Sequence, residues 1–215
     1  MIYETHAKQV LYQHLESYME HKRYGGNASD LHFVRLTNFG NSAVKITTEQ
    51  AEDGLRFRVF LGLRHQLVEE WLANYGLPGT HYSQASYTLM VKSDRLAGGV
   101  AFEQWPAKTE TEVGAIAESF IAFMDKTGFD FLDRYKELKA IDRLYNENTV
   151  LAGKLNSFNY QYAFRAMAMA KICHREDYDR LMAMHRQNLA SRGFSGEILA
   201  KFDITFARLK HFSVN

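Results

Sequence analysis

The chain has 215 residues, of which 46% are hydrophobic, 24% charged and 13% aromatic, enough apolar material for a core in one domain or two small ones. That balance excludes a wholly disordered chain, and two prolines with 14 glycines exclude a collagen-like or proline-rich spacer. Lys and Arg number 26 against 25 Asp and Glu, so no strong global field draws the chain to nucleic acid or to an anionic membrane.

Glu4 and Lys8 stand where a secretory signal needs an apolar core. No stretch approaches the roughly 18 uninterrupted apolar residues of a spanning helix. Cys173 is the only cysteine, which leaves no intrachain disulfide and no cysteine-based zinc site. The expectation is a cytoplasmic, soluble protein without membrane contact, in which the Asn27-Ala28-Ser29 sequon carries no sugar.

Residues 4–23 place Ala7, Val10, Leu11, Leu15, Tyr18 and Met19 on one helical stripe, and Gly25-Gly26-Asn27 is the expected stop. The period then falls to two. Val34 and Leu36, then Val44, Ile46 and Thr48, then Phe57, Val59 and Leu61 alternate with more polar neighbours and predict a three-strand meander. Phe39-Gly40-Asn41 and the segment Ala51 to Gly54 supply its turns. Placing Glu49 opposite Arg56 sets Thr47 against Arg58 and Ile46 against Val59, so that like meets like across the strands. His65 to Tyr75 reads as a helix ended by Gly76. Residues 85–92 (with Ala85, Tyr87, Leu89 and Val91 on one side) and Val100 to Trp105 read as a second hairpin around Asp94 to Gly99.

After Pro106 only helical patterns follow. Thr109-Glu-Thr-Glu112 is a capping-box signature opening a helix to about Thr127. Gly128-Phe129 and Gly193-Phe194 read as helix stops, with further helices at about 131–147, 158–173, 175–191 and 196–212. The last carries Ile198, Leu199, Phe202, Phe206 and Leu209 in a stripe. Residues 109–147 hold five Lys/Arg against nine Asp/Glu, and residues 148–215 hold ten against five. That asymmetry suits two helical layers that attract each other, or a basic surface for an acidic partner.

Motifs for chemistry are few. GxGxxG, GxxxxGK[ST] and GxSxG are all absent. His6, His14 and His21 lie two turns apart, about 11 Å, too far for one ion held within about 2.1 Å of each nitrogen. His65 and Glu69 are spaced as a surface i,i+4 pair, and His185 lies on the stripe of Tyr178, Leu181, Met182 and Leu189 as a hydrogen-bonded core histidine. Cys173 reads as a small apolar residue beside the Ala-Met-Ala-Met-Ala run at 166–170, a run suited to close helix contact. Asp130, Asp133 and Glu137 fall at helical spacing, as an acidic ledge would require, but nothing indicates a cleft for acid/base work, and Asp130 near a helix start reads more simply as a cap and dipole partner. No metal and no cofactor is expected. One constellation suggests binding: the meander register sets Phe33, Arg35, Lys45, Arg58 and Phe60 on the face opposite the apolar one, with Lys92 nearby. Cationic, aromatic sheet faces of this kind bind single-stranded nucleic acid. Glu49 and Glu103 dilute the charge.

The segment Ile121 to Tyr135, with Gly128-Phe129 and then Phe131-Leu-Asp-Arg-Tyr135, followed by Leu138 and Ile141, resembles a passage of uncharacterised bacterial cytosolic α+β proteins. In these a sheet region is followed by a helix ending in Gly-Phe or Gly-Leu, then Phe-x-x-Arg-Tyr, then a helical tail. The resemblance implies a bacterial cytosolic protein with no assigned catalytic residues, and some such families lie near toxin–immunity or defence systems. It supplies no site residue.

The fold expected is α+β: an N-terminal helix, an antiparallel sheet of about five strands with an inserted helix, then a C-terminal helical bundle. The sheet region spans residues 1–107 and the helical region 108–215, packed as one unit. The leading functional expectation is a non-enzymatic factor that binds another protein, in the manner of an immunity protein. The alternatives are a single-stranded nucleic-acid binder and an enzyme whose site is assembled from distant residues.

Overall fold

The computed structural model describes residues 2–75, 86–155 and 159–210, with only the backbone of residue 75 and of residues 208–210. Gly76, Ala85, Phe158 and residues 211–212, which carry ends of expected elements, lie outside the described residues. The class is α+β, as expected. The chain divides into two compact units, residues 1–63 with 89–134 and residues 64–88 with 135–215. The expected division after residue 107 falls inside the first unit.

In the first unit, α1 (Glu4–His21) buries Ala7, Val10, Leu11, Leu15 and Met19. It ends at Arg23, which takes a φ of 65°, while the Tyr24 amide donates to Met19 O at 2.9 Å. The left-handed cap is therefore an arginine, and the expected glycine stop at Gly25 begins the next segment. The sheet is four antiparallel strands in the order β1-β2-β3-β4: β1 (His32–Thr37), β2 (Gly40–Ala51), β3 (Gly54–His65) and β4 (Leu89–Lys92). Two-residue turns join β1 to β2 and β2 to β3. Gly54 meets the second turn at a φ of +137°, and any Cβ there would lie 2.9 Å from Ala107 O. Only glycine fits that approach.

The expected fifth strand does not form. Residues 100–105 instead make a 3₁₀ turn at Phe102–Gln104 that drives Phe102 fully into the core, 5.8 Å from the Phe123 ring and 6.4 Å from Phe120. Ser93 Oγ donates to Val100 O at 2.6 Å and holds the approach to that turn. The chain returns to the sheet only at Ala107, which exchanges backbone hydrogen bonds of 2.8 and 2.9 Å with Leu55.

Helix α3 (Glu110–Phe123) opens with the expected capping box: Glu112 N–H donates to Thr109 Oγ1 and the Glu112 carboxylate accepts from Thr109 N–H. The helix does not stop at Gly128. It passes through a π-helical turn, Met124–Gly128, into α4 (Phe129–Arg134), with the Phe129 amide donating to Met124 O. Gly128 serves close packing here, since a Cβ would lie 2.5 Å from Met124 Sδ. Asp130 consequently lies exposed inside a continuing helix and caps nothing, a correction to its expected role.

The second unit is built on α7 (Tyr160–Ile172), whose residues Tyr162 to Ala170 are all buried. A helix buried on every side is a central helix, and α2 (Gln66–Tyr75), α5 (Leu138–Asn146), α8 (Tyr178–Ser191) and α9 (Gly196–Lys210) pack around it. The alanines of the 166–170 run let these neighbours approach closely. Phe164, Phe202 and Phe206 meet with ring centroids 4.8–5.4 Å apart, and Trp71 stacks on Phe206. The single helix expected over 131–147 is broken at residues 135–137, and a short α6 (Thr149–Leu155) follows α5. Gly193 takes the left-handed conformation expected of a helix stop, at a φ of +74°. The Phe194 amide then donates to Leu189 O at 3.3 Å.

Candidate functional site

The six residues expected on one sheet face lie on two. Phe33 pairs with Val44 and Arg35 with Ser42, whereas Lys45 pairs with His32. Phe33 and Arg35 therefore share the buried face with Val44, and Val34 and Leu36 turn outward, Leu36 to 83% exposure. A one-residue slip in register exchanges the faces of a whole strand. The slip is favoured by two aromatic contacts: Phe33 stacks on Tyr12 at 5.8 Å, and the Arg35 guanidinium lies 5.0 Å from the Tyr24 ring centre and 3.8 Å from Asp133. Lys45, Arg58, Phe60 and Lys92 do share the outer face. Phe60 pairs with Lys92, and Arg58 reaches Glu49, four residues along β2 from Lys45. Charge on that face is largely neutralised, because Lys92 meets both Asp94 and Glu103.

A hollow of about 360 Å³ opens in the same unit beside the 3₁₀ turn. Trp105 stands over it, 49% exposed and edge-on to Phe102 at 6.1 Å, followed by Pro106. Across from them α3 contributes Glu112, Ala115, Ile116 and Ser119, a stripe at i, i+3, i+4 and i+7. Both ends of the Trp105-Pro106 segment are fixed. The Trp105 amide donates to Phe102 O at 3.2 Å, and Ala107 is bridged to Leu55. Hydrogen bonds from the Lys108 backbone and from Thr109 hold the Glu112 carboxyl below its ordinary pKa, so it is ionised at the rim. Glu118 is exposed on the next turn of the surface. The unit as a whole carries 12 Lys/Arg against 15 Asp/Glu.

The second unit holds a buried polar network that sequence reasoning missed. Glu69, expected at the surface with His65, has no exposed side-chain area. Arg165 Nε and Nη2 donate to its two oxygens at 3.0 and 3.1 Å, and Thr88 Oγ1 donates to Oε1 at 2.9 Å. Burial pushes the Glu69 carboxyl upward, but the Arg165 charge and the hydrogen bonds from Arg165, Ser86 and Thr88 outweigh it, and the pKa falls below the usual value. The signal for this pair was present in Arg165, the one charge within the otherwise uncharged stretch Tyr162 to Ala170, and in Glu69 at i+4 from His65 on the buried stripe with Leu72.

A second branch runs through His185, which is a hydrogen-bonded core histidine as expected. Its Nε2 donates to Asn146 Oδ1 at 2.8 Å, and Asn146 Nδ2 donates to Asp142 Oδ1 at 2.7 Å. Asp142 also accepts from Arg175, which is clamped by Asp177 and Glu147. His185 Nδ1 has no hydrogen-bond partner among the described residues, and burial lowers the imidazole pKa to about 4. His185, Asn146 and Asp142 are buried, while Arg175 and Glu147 carry the network to the surface. Cys173 is half-buried at the end of α7, where burial raises its thiol to about 11. Among the described residues no three His, Cys, Asp or Glu side chains gather as a metal site, and no helix is long and apolar enough to cross a membrane.

No protein-family model, no curated protein and no solved structure matches the chain.

Proposed function

We propose that the protein is an interaction factor that receives a basic, amphipathic segment of a partner protein in the Trp105 hollow. The observation that supports this most directly is Trp105 itself, half-exposed above an apolar hollow on a backbone fixed at both ends. Tryptophan is enriched among residues that dominate binding energy, and a preformed site avoids an ordering cost. The acidic balance of this unit, with Glu112 ionised at the rim and Glu118 nearby, favours a cationic partner. A toxin held by such a contact is the form suggested by the resemblance to families near toxin–immunity systems.

The test is a titration of a Trp71→Phe chain with a synthetic Lys/Leu amphipathic peptide and an Asp/Leu peptide of equal length. The Lys/Leu peptide should shift Trp105 emission to the blue, and labelled-peptide anisotropy should show at least a tenfold loss of affinity in Trp105→Ala, in line with a hot-spot residue. Equal binding of both peptides, or binding undiminished by Trp105→Ala, overturns the reading. So does tight, salt-sensitive binding of single-stranded DNA that disappears in Arg58→Glu with Lys92→Glu.

A further inference from the structure

A hollow of about 650 Å³ in the second unit lies where the first turn of α5 faces the end of α7. Its half-buried lining is apolar: Leu138, Ala140, Ile172 and Cys173. Its exposed rim carries Lys139, Arg143 and His174. Neither Lys139 nor Arg143 forms an ion pair among the described residues. Arg143 and Ala140 also line an adjoining hollow of about 380 Å³, so the arginine stands between two cavities. Opposing charge comes from Glu137, which lines the same hollow, from Glu147, which lines the adjoining one, and from Asp142, whose charge is felt at Cys173.

His174 strengthens the case independently. It occupies the position after the α7 cap at a φ of 54°, where its amide donates to Lys171 O and the next amide to Ala170 O. Glycine is the usual residue there, and a side chain with a Cβ is strained in that conformation. The strained conformation delivers an imidazole to the rim of this hollow and to that of a neighbouring one. Strained non-glycine residues concentrate at ligand sites.

From this geometry we infer a binding site for a small organic anion with an apolar or aromatic body, its carboxylate or phosphate held by Arg143 and Lys139 and its body resting on Leu138, Ile172 and Cys173. The volume matches ligand pockets, which span about 300–1,000 Å³. A guanidinium is suited to either anionic group by its planar fork. The thiol plays no chemical part toward the bound anion; burial raises its pKa to about 11, so its alkylation is slow and is followed at alkaline pH.

Cys173 is the sole cysteine of the chain, so its alkylation by N-ethylmaleimide, an uncharged reagent, reports occupancy of this hollow alone. Labelling rates are measured with octanoate, with adenosine 5′-monophosphate and with inorganic phosphate. At least one of the first two should slow labelling fivefold or more at millimolar concentration, and which one does so separates an acyl from a nucleotide ligand. Arg143→Gln with Lys139→Gln should abolish protection, judged against that variant's own rate without added anion, because Lys139 also acts on the Cys173 thiol. Protection by inorganic phosphate alone would refute the apolar half of the site. The proposal is overturned by the absence of protection with both organic anions, or by protection that survives in the double variant.

Discussion

Replacing Glu69 by leucine removes a carboxylate that has no exposed area and leaves the Arg165 guanidinium, only 11% exposed, without its counter-charge. Two charge-assisted hydrogen bonds and the Thr88 bond disappear together. Breaking one side of a buried ion pair costs about 3–5 kcal/mol, which for a chain of this length lowers Tm by roughly 6–20 °C. Glu69→Leu combined with Arg165→Met removes both charges. It should recover most of the loss, with about 1 kcal/mol remaining because Thr88 loses its acceptor while still accepting from the His65 amide. The assay is urea unfolding followed by Trp71 fluorescence in a Trp105→Phe background, since Trp71 stacks on Phe206 within the same unit. The pair also sets an acid dependence. With its folded pKa below the ordinary value, Glu69 stabilises the fold above the unfolded pKa of about 4.3. That contribution is lost as the pH falls through the lower folded value. A cost below about 1 kcal/mol for Glu69→Leu, or a double variant as unstable as the two single losses added, would refute the buried-pair reasoning.

His185 should make the protein lose about 3 kcal/mol between pH 6.5 and pH 4, because the unfolded histidine binds a proton that the buried one, with a pKa of about 4, refuses. His185→Gln, which can still donate to Asn146, should flatten that part of a stability–pH curve; an unchanged curve assigns the acid sensitivity elsewhere. Phe33→Ala should cost about 3–5 kcal/mol and Leu36→Ala within about 0.5 kcal/mol, as their exposures of 1% and 83% require. The reverse order in denaturant titrations would restore the other strand register. Thr109→Ala should cost about 1 kcal/mol through loss of the α3 capping box, and an unchanged unfolding midpoint would refute it.

Local chemistry in the sequence determined the elements that depend on neighbours in the chain. The stripe from Ala7 to Met19, the Thr109–Glu112 box and the left-handed Gly193 were legible because periodicity, capping and glycine freedom act over a few residues. The α+β class followed from the change of period near residue 109. His185 was legible too, since an imidazole on a fully apolar stripe must find a partner inside. Tertiary structure alone decided the rest. In β1, Val34 and Leu36 alternate as convincingly as Phe33 and Arg35, and the choice was made by Tyr12 and Tyr24, which receive the Phe33 ring and the Arg35 cation. Val100 to Trp105 has strand-like alternation, yet burial of Phe102 against Phe120 and Phe123 bends it into a 3₁₀ turn and leaves Trp105 at the surface. Glu69 and Arg165 each lie on an apolar stretch, but only the fold shows that the two, 96 residues apart, face each other. A charge can be buried only where its partner is, and the partner's position is a property of the fold.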